Sequence, residues 1–188
     1  MHDERVLAAI AAVPRDVFVP PELREDAFAN EPQPIGCGQT ISQPLVVARM
    51  CELLELSPQD LALDVGTGSG YHAAVLAKLC AHVYSIERHA QLSEQAARNL
   101  EAAGVTNVSL FIGDGSQGLP EHAPFDAINV GAAAWRSVPQ ALEQQLAEGG
   151  RLVAPIARIG QRLVLVRRTE RGFERELLEP VRFVPLVQ

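Results

Sequence analysis

The chain has few of the residue patterns that assign a protein to a metal-binding, disulfide-bonded or membrane class. Its three cysteines, Cys37, Cys51 and Cys80, form no CxxC pair and no cysteine–histidine cluster, and its five histidines are scattered. We therefore expect no metal site, and isolated cysteines in odd number indicate reduced thiols in the cytosol. No apolar run approaches the roughly eighteen residues that a membrane span requires.

Positive charge is also scarce. The 16 lysines and arginines are outnumbered by 23 aspartates and glutamates, which gives a net charge of −7. Such a surface repels nucleic-acid phosphates, although it leaves room for a local basic patch. Residues 1–16 are charged and alanine-rich rather than a signal peptide. We expect a cytoplasmic protein with no membrane or nucleic-acid partner. A monomer is expected because the sequence has no long exposed apolar helix and no heptad repeat.

The most informative stretch is residues 61–87, which read LALDVGTGSGYHAAVLAKLCAHVYSIE. The stretch opens with an apolar run that predicts a buried strand, and a glycine-rich turn follows at 66–70. Apolar residues at helical spacing predict a helix over 71–80. A second strand over 82–86 ends on the acidic Glu87. This order of elements is typical of parallel, nucleotide-binding folds.

The glycine turn favours a ligand, because a Cβ atom there would keep the ligand away from the backbone. The N-terminus of the next helix offers N–H groups to a carboxylate or phosphate. Glu87 lies about twenty residues beyond the first glycine, where a carboxylate can accept both hydroxyls of a ribose. The GxGxG spacing departs from the GxGxxG of NAD sites. With Asp64 and Glu87 it favours adenosine carrying a compact charged tail, such as S-adenosylmethionine. A tight turn without a ligand is the alternative.

The rest of the chain alternates between helices and strands, with no repeat, low-complexity tract or linker. The proline-rich segment 13–21 is expected to be an extended arm that packs valine and phenylalanine on the core. The last two strands are joined around Arg171-Gly172 and should be antiparallel. Helices are predicted at 3–12, 45–56, 89–103 and 137–146, and further strands at 107–112, 125–130, 150–156, 161–168 and 174–186. The fold class is α/β, a doubly wound, mostly parallel seven-stranded sheet with helices on both faces.

Three loops fall where ligands bind in such sheets. The loop 31–44 has three prolines and small polar groups, and long loops of this kind are usually functional. Its alternative role is to cap the following helix, with Ser42 as the capping residue. Asp114, between two glycines, is placed to accept from an adenine amino group, or it forms a plain Asx turn. The small residues 131–134 leave room for a ligand at the end of a strand.

Together these motifs resemble the protein-L-isoaspartate O-methyltransferase family, nearly from end to end. The GxGxG piece is shared by many methyltransferases, whereas the GQTISQP loop is close to diagnostic. The matching segments are VPRDVFVP (13–20), PIGCGQTISQP (34–44), DVGTGSGY (64–71), GDG (113–115), PFDAINVGAAA (124–134), EGGRLVAPI (148–156) and VRFVPL (181–186).

The resemblance implies a repair enzyme that methylates L-isoaspartyl residues of damaged proteins and peptides, leaving S-adenosylhomocysteine and needing no metal. It implies one Rossmann-like domain over 1–188, with an N-terminal arm and substrate loop (1–56), a cofactor-binding core (57–156) and a C-terminal strand pair (157–188). The implied cofactor residues are Asp64, Gly66, Thr67, Gly68, Gly70, Glu87, Asp114 and Gly115. The implied substrate residues are Gln39, Thr40, Ile41, Ser42, Val130, Gly131, Ala132 and Ala133, with Ser42 as the active-site serine.

The chain departs from the family pattern at three places, of which the last two bear on substrate preference. The chain starts where many relatives carry an additional helix, Cys37 replaces a bulkier or more polar residue, and Ala134-Trp135-Arg136 replaces a proline-containing turn. Neither of these two removes a cofactor contact.

The chemistry requires no catalytic base, because a substrate carboxylate with a pKa of about 3.9 is already ionised at neutral pH. Carboxylate and sulfonium charges cancel as the methyl group moves, so a water-poor site favours the transfer. Ser42 would orient the carboxylate by a hydrogen bond. The alternatives are a methyltransferase for a small molecule or RNA, which has no need of the GQTISQP loop, and a binding module that holds S-adenosylmethionine without turnover. An NAD enzyme is disfavoured by the glycine spacing.

Overall fold

The computed structural model describes residues 3–187, whose strands form one large sheet and one small hairpin. The helices are α1 (Glu4–Ala12), α2 (Pro44–Leu54), α3 (Tyr71–Ala77), α4 (Ala90–Ala102) and α5 (Gln140–Gln144). The strands are β1 (Gln33–Gly36), β2 (Gln39–Ile41), β3 (Leu61–Val65), β4 (His82–Glu87), β5 (Val108–Ile112), β6 (Phe125–Val130), β7 (Ala134–Trp135), β8 (Leu146–Arg158), β9 (Gly160–Thr169) and β10 (Gly172–Pro180).

The large sheet has the strand order β10-β9-β8-β6-β3-β4-β5, and the two-residue β7 pairs with β8 beside this path. Strands β3 to β6 and β8 pair in parallel, while β8–β9 and β9–β10 are antiparallel. The α/β class, the mostly parallel sheet and the antiparallel final pair are therefore confirmed. The seven predicted strands make up the path, and β7 is an additional short one.

Helices cover both faces of the sheet because its central strands are apolar on both sides. In β3, Ala62 packs into the cluster that includes α1, α2 and α3, whereas Leu63 and Val65 pack into the cluster that includes α5. Such a sheet places the glycine-rich segments after β3, β5 and β6 at one edge, where the carboxyl ends of the strands lie. The functional site is built on this edge.

The N-terminal arm differs from its prediction. Residues 15–18 and 21–26 form two 3₁₀ helices rather than an extended chain, although Phe18 and Val19 are buried on the core as expected. Arg15 is also buried, and its Nε donates to the carbonyl of Ala27 at 2.7 Å. Its guanidinium lies 4.7 Å from the centre of the Tyr71 ring, so the arm is fixed against the first residue of α3.

The predicted loop 31–44 contains the antiparallel hairpin β1–β2 instead of irregular chain. The chain reverses at Gly36, Cys37 and Gly38, which all have positive φ, and glycine adopts this region without steric cost. Ser42 is not the cap of α2: the capping position is Gln43, whose side chain makes no capping bond, and Leu45 N donates instead to Asn30 Oδ1 at 3.1 Å. Pro44 occupies the first turn, as predicted.

Two boundaries near the C-terminus were also predicted wrongly. Helix α5 ends at Gln144, and β8 begins at Leu146 rather than Gly150. Strand β10 ends at Pro180, because its register shifts there and proline has no N–H for the ladder. Beyond it, the side chain of Gln161 bonds both the N–H and the carbonyl of Phe183, at 2.6 and 3.0 Å. Residues 181–187 thereby leave the sheet and run toward its carboxyl edge.

Candidate active site

The glycine turn after β3 brings bare backbone to the carboxyl edge of the sheet. Gly66, Gly68 and Gly70 have φ of 91°, 54° and 91°, a region that other residues enter at a cost. The turn is fixed by hydrogen bonds from Gly66 N to Ile86 O (2.9 Å) and from Gly70 N to Thr67 O (2.8 Å). Helix α3 starts directly after it, so its N-terminal N–H groups lie behind the turn.

Glu87, the last residue of β4, locks this turn in place. Its carboxylate is buried, with Oε2 accepting from Gly68 N at 3.0 Å and Oε1 accepting from His89 N at 3.0 Å. Each carboxylate oxygen has a further lone pair, so the group can also accept from ligand hydroxyls. Glu87 is therefore both a support for the turn and an acceptor on the cleft.

The cleft above these residues has backbone walls. A Cβ at Gly131 would lie 3.3 Å from Gly66 O, and one at Gly68 would lie 3.1 Å from Ile35 Cδ1. A Cβ at Gly115 would approach Val65 Cγ1 to 2.6 Å. The lining residues are Gln39, Thr40, Val65, Gly66, Gly68, Ile86, Glu87, Arg88, His89, Gly115, Gly131, Ala132 and 184–187. Narrow glycine walls and a carboxylate at one end suit an adenosine-containing ligand.

Asp64 lies beneath the cleft rather than in its wall. Its side chain is fully buried, and Ser85 Oγ and Asn129 Nδ2 each donate to it at 2.7 Å. Thr67 Oγ1 lies 2.6 Å from Ser85 Oγ, so the glycine turn is tied to the same network. Burial raises the pKa of Asp64 to about 6. Asp64, Thr67 and Gly70 thus support the cleft from behind.

Asn129 and His72 continue this buried network, and the sequence analysis missed both. His72 Nδ1 lies 3.2 Å from Asn129 Nδ2, and His72 Nε2 lies 3.6 Å from Cys51 Sγ. Burial lowers the pKa of His72 to about 3, so the ring is neutral at physiological pH. The available signal was the polar Asn129 in the otherwise buried end of β6, directly opposite Asp64 of β3.

Asp114 adopts the local turn that was the alternative to a ligand role. Its Oδ1 accepts from Ser116 N at 2.9 Å and caps the 3₁₀ helix Gly115–Gln117. The residue is only partly buried and stands outside the cleft lining, next to Gly115, which is part of it. Asp114 Oδ2 accepts no hydrogen bond within residues 3–187, so it is available to a ligand.

A second cavity, of about 630 Å³, adjoins the first; we call it the groove. Ser42, partly buried, lies in its wall, and its hydroxyl makes no hydrogen bond with the described part of the chain. Thr40 and Gly131 line both cavities, so the two meet at these residues. The groove is lined by Pro32, Thr40, Ser42, Gln43, Val46, Gly131 and 180–184.

The other predicted substrate residues are divided between wall and core. Gln39 and Ala132 line the first cleft, whereas Ile41 and Val130 are buried in the hydrophobic core. Ala133 lines neither cavity: its N–H donates to Val184 O at 2.7 Å and its carbonyl accepts from Leu186 N at 2.9 Å. These bonds bring 181–187 to both cavities, a placement that the sequence analysis missed because it extended the last strand to Leu186.

A mostly parallel sheet, a GxGxG turn after its central strand and an acidic residue ending the next strand define the class of Rossmann-like, S-adenosylmethionine-dependent methyltransferases. Within this class, the sequence model of the protein-L-isoaspartate(D-aspartate) O-methyltransferase family matches residues 1–188. The chain belongs to that family.

Individual relatives agree with this assignment. The protein-L-isoaspartate O-methyltransferase of Photorhabdus laumondii is 52% identical, over 100% of this chain and 90% of the relative. The enzyme of the same name from Parvibaculum lavamentivorans is 50% identical, over 100% and 86%. A solved Plasmodium falciparum structure, described as a protein-L-isoaspartate O-methyltransferase in complex with S-adenosyl-L-homocysteine, is 28% identical. It superimposes with a TM-score of 0.86, over 100% of this chain and 92% of that one.

Proposed function

We propose that this protein transfers a methyl group from S-adenosylmethionine to the free carboxylate of L-isoaspartyl residues in damaged proteins and peptides. The observation that carries the proposal is the meeting of the cleft and the groove at Thr40 and Gly131. A methyl donor in one cavity and a peptide in the other would have their reacting ends at this junction. Relatives at about 50% identity over the whole chain that bear the name of this activity support it.

The residues of the first cleft fit the proposed cofactor. Glu87 would accept the ribose hydroxyls, while Gly66, Gly68 and Gly115 allow close approach of the ligand to the backbone. Asp114 would reach the adenine through its free oxygen. Asp64, Thr67 and Gly70 would act from behind the wall by holding the turn. When bound, S-adenosylmethionine supplies an electrophilic methyl group.

The groove would perform the reaction by placement. The isoaspartyl carboxylate is ionised at neutral pH, so it needs no base. The Ser42 hydroxyl would donate to it and aim one oxygen at the junction. Backbone groups of Thr40 and Gly131 would flank the peptide chain and exclude water, which favours a step in which opposite charges cancel.

We also propose that residues 1–188 work as a single domain divided at 56 and 156, with limits at 1 and 188 that lie outside the described residues. Within residues 3–187, no helix is long and apolar enough to cross a membrane. A cytoplasmic location, a monomeric state and protein rather than nucleic-acid substrates complete the proposal; the net charge of −7 supports the last of these.

A pair of synthetic peptides tests this function. The two share one sequence and differ only in whether the aspartyl linkage is normal or isoaspartyl. With labelled S-adenosylmethionine, mass spectrometry should find the added methyl group on the isoaspartyl peptide alone, because a displacement of about 1 Å can cost a hundredfold in rate. Equal methylation of both peptides would contradict the proposal. So would transfer to RNA or a metabolite with neither peptide labelled.

A further inference from the structure

A second surface at the carboxyl edge of the sheet has features of a protein-binding site. It consists of Arg158, Ile159, Arg162 and Leu177, with Trp135 and Arg136 in the segment beside them, and we call it the arginine face. Two of its side chains are large, apolar and highly exposed, Ile159 at 106% and Leu177 at 57%, and Trp135 beside it is 69% exposed. Exposed apolar side chains beside arginines are typical of protein interfaces, and arginine and tryptophan are enriched at the centres of such interfaces.

The face is concave and structurally fixed. A cavity of about 420 Å³ lies between the β8–β9 turn and β10, with Ile156, Val164 and Leu177 in its wall. The Trp135 segment is held at the end of β8, because Arg136 N donates to Ala157 O at 2.9 Å. Arg158 Nε in turn donates to Arg136 O at 2.9 Å. A fixed surface of this kind can bind a partner without first having to be ordered.

The charge of the face is opposite to that of the whole protein. Within residues 3–187, Arg136, Arg158 and Arg162 form no ion pair, while Arg175 on the same cavity is paired with Glu143. Glu176 is the single acidic residue among those described in the wall of this 420 Å³ cavity. Three unpaired arginines on a chain of net charge −7 attract an acidic partner. They also disfavour symmetric pairing with a second copy, since that would place arginines against arginines.

The position of the face connects it to the proposed reaction. Ala132 lines the first cleft, and Trp135 follows three residues later, so their Cα atoms are at most about 11 Å apart. A peptide whose isoaspartyl residue lies at Thr40 and Gly131 therefore needs only a few further residues to reach the arginine face. Resting on the proposed function, we propose that this face binds an acidic segment, with one apolar side chain, of the same substrate protein.

Tailed peptides test this surface separately from the reaction. A short isoaspartyl core peptide is prepared alone, with a neutral serine–glycine tail, and with a tail of glutamates around one leucine. Each tail is attached to the N-terminus of the core in one set of peptides and to the C-terminus in another. The acidic tail at one end should lower the KM about tenfold relative to the neutral tail, with little change in kcat. Trp135 is the only tryptophan of the chain and lies in the segment beside the face, so its fluorescence reports on binding there. Its emission should shift to the blue with the acidic tail, even with an unreactive aspartyl core.

Variants of exposed side chains assign the effect. Arg158→Glu and Arg162→Glu should each remove most of the advantage of the acidic tail, while the untailed core keeps its wild-type kinetics. Ile159→Ser, at a fully exposed turn residue outside the core, should raise the KM of the peptide with the leucine-containing tail. Arg171→Glu is the matched control, because it makes the same charge change in the turn at the opposite end of β9 and β10.

Equal KM values for acidic and neutral tails would overturn the inference, as would an equal effect of Arg171→Glu. A blue shift with phosphatidylglycerol vesicles but not with tailed peptide would assign the face to a membrane and also overturn it. Failure of the proposed function is distinguishable from all of these, because the untailed isoaspartyl core would then not be methylated by the unmodified protein.

Discussion

The cleft and the groove meet at two residues, yet they are built differently. The cleft is made from the ends of consecutive parallel strands and their glycine turns, and a buried polar network holds it from below. The groove is assembled from the β1–β2 hairpin and the adjoining start of α2, together with the segment 180–184, which is far from both in sequence. We infer that a substitution in the cleft also disturbs its neighbouring parts, because these parts support one another. A substitution in one wall of the groove should leave the other walls in place.

Loss of Glu87 should give the largest effect, and it should act on the cleft rather than on the groove. Glu87→Ala removes the proposed ribose acceptor and leaves Gly68 N and His89 N without their partner. Affinity for S-adenosylmethionine should fall ten- to a hundredfold, or about 1.5–3 kcal/mol. Calorimetry measures this loss, and Glu94→Ala, on the exposed side of α4, controls for the change of charge. Wild-type affinity in a folded Glu87→Ala protein would remove Glu87 from the site.

The buried network beneath the cleft should make the unfolding free energy depend on pH, because two of its groups have shifted pKa values. Asp64 has its pKa raised to about 6, so the folded state binds more protons between about pH 4 and 6, and this contribution to stability falls as pH rises. His72 has its pKa lowered to about 3, so the unfolded state binds more protons between about pH 3 and 6.5, and this contribution rises with pH. The two offset each other between pH 4 and 6.

His72→Gln removes the contribution of His72, so the pH dependence that comes from Asp64 is no longer offset. Relative to the unmodified protein, the unfolding free energy of the variant should fall with rising pH by up to about 1.4 kcal/mol per pH unit between pH 4 and 6. Denaturant unfolding at a series of pH values measures the slope. Glutamine keeps a polar partner for Asn129, and an unchanged slope would show that Asp64 and His72 do not titrate as proposed.

On the groove side, Ser42→Ala should act on turnover alone. The hydroxyl caps no helix and has no partner in the described part of the chain, so the melting temperature and the cofactor affinity should stay the same. Turnover should fall about tenfold, ~1.4 kcal/mol, because the carboxylate loses its orienting donor. Ser57→Ala should give the opposite pattern: its Oγ donates to Asp60 at 2.7 Å, so stability falls and turnover does not. A lower melting point with full activity in Ser42→Ala would contradict the assignment.

The smallest effect is expected from the ion pair that joins α2 to β10, two elements that contribute residues to the groove. Arg49 of α2 donates to Glu179 of β10 at 2.7 Å, and both side chains are 39% exposed. Because exposed ion pairs contribute little, Arg49→Gln should lower the unfolding free energy by about 0.2–1 kcal/mol. The difference should shrink in high salt, which thermal unfolding at two ionic strengths would detect. A larger, salt-independent loss would mean that the groove is as tightly built as the cleft.

The same contrast explains what could be predicted from sequence. The strands and the glycine turn of 61–87 were identified correctly, because apolar runs and glycine spacing act locally. The placement of 181–187 could not be predicted in this way, since it depends on Gln161 replacing the missing strand bonds and on Ala133 accepting the segment. The hairpin was missed because it depends on positive φ at Cys37, a conformation that cysteine does not signal.

The candidate site shows the same limit at the level of single residues. Glu87, Gly66, Gly68 and Gly115 were predicted and line one cleft, whereas Gly70 supports it from behind. Asp64 was grouped with them because it precedes the turn, but side chains alternate along a strand, and its own points into the buried network. Asn129 and His72 come from separate elements, and only the folded chain brings them to Asp64.

Thr40 and Gly131 belong to the walls of both cavities, and this shared boundary makes the two sites one thermodynamic system. Any ligand that moves either residue changes the free energy with which the neighbouring cavity binds its own ligand. By linkage, the effect of the first occupant on the second must equal that of the second on the first. A used donor left in the cleft would therefore alter peptide affinity, and a methylated peptide would alter the release of the donor. The strength of product inhibition should therefore depend on how Thr40 and Gly131 couple the two cavities.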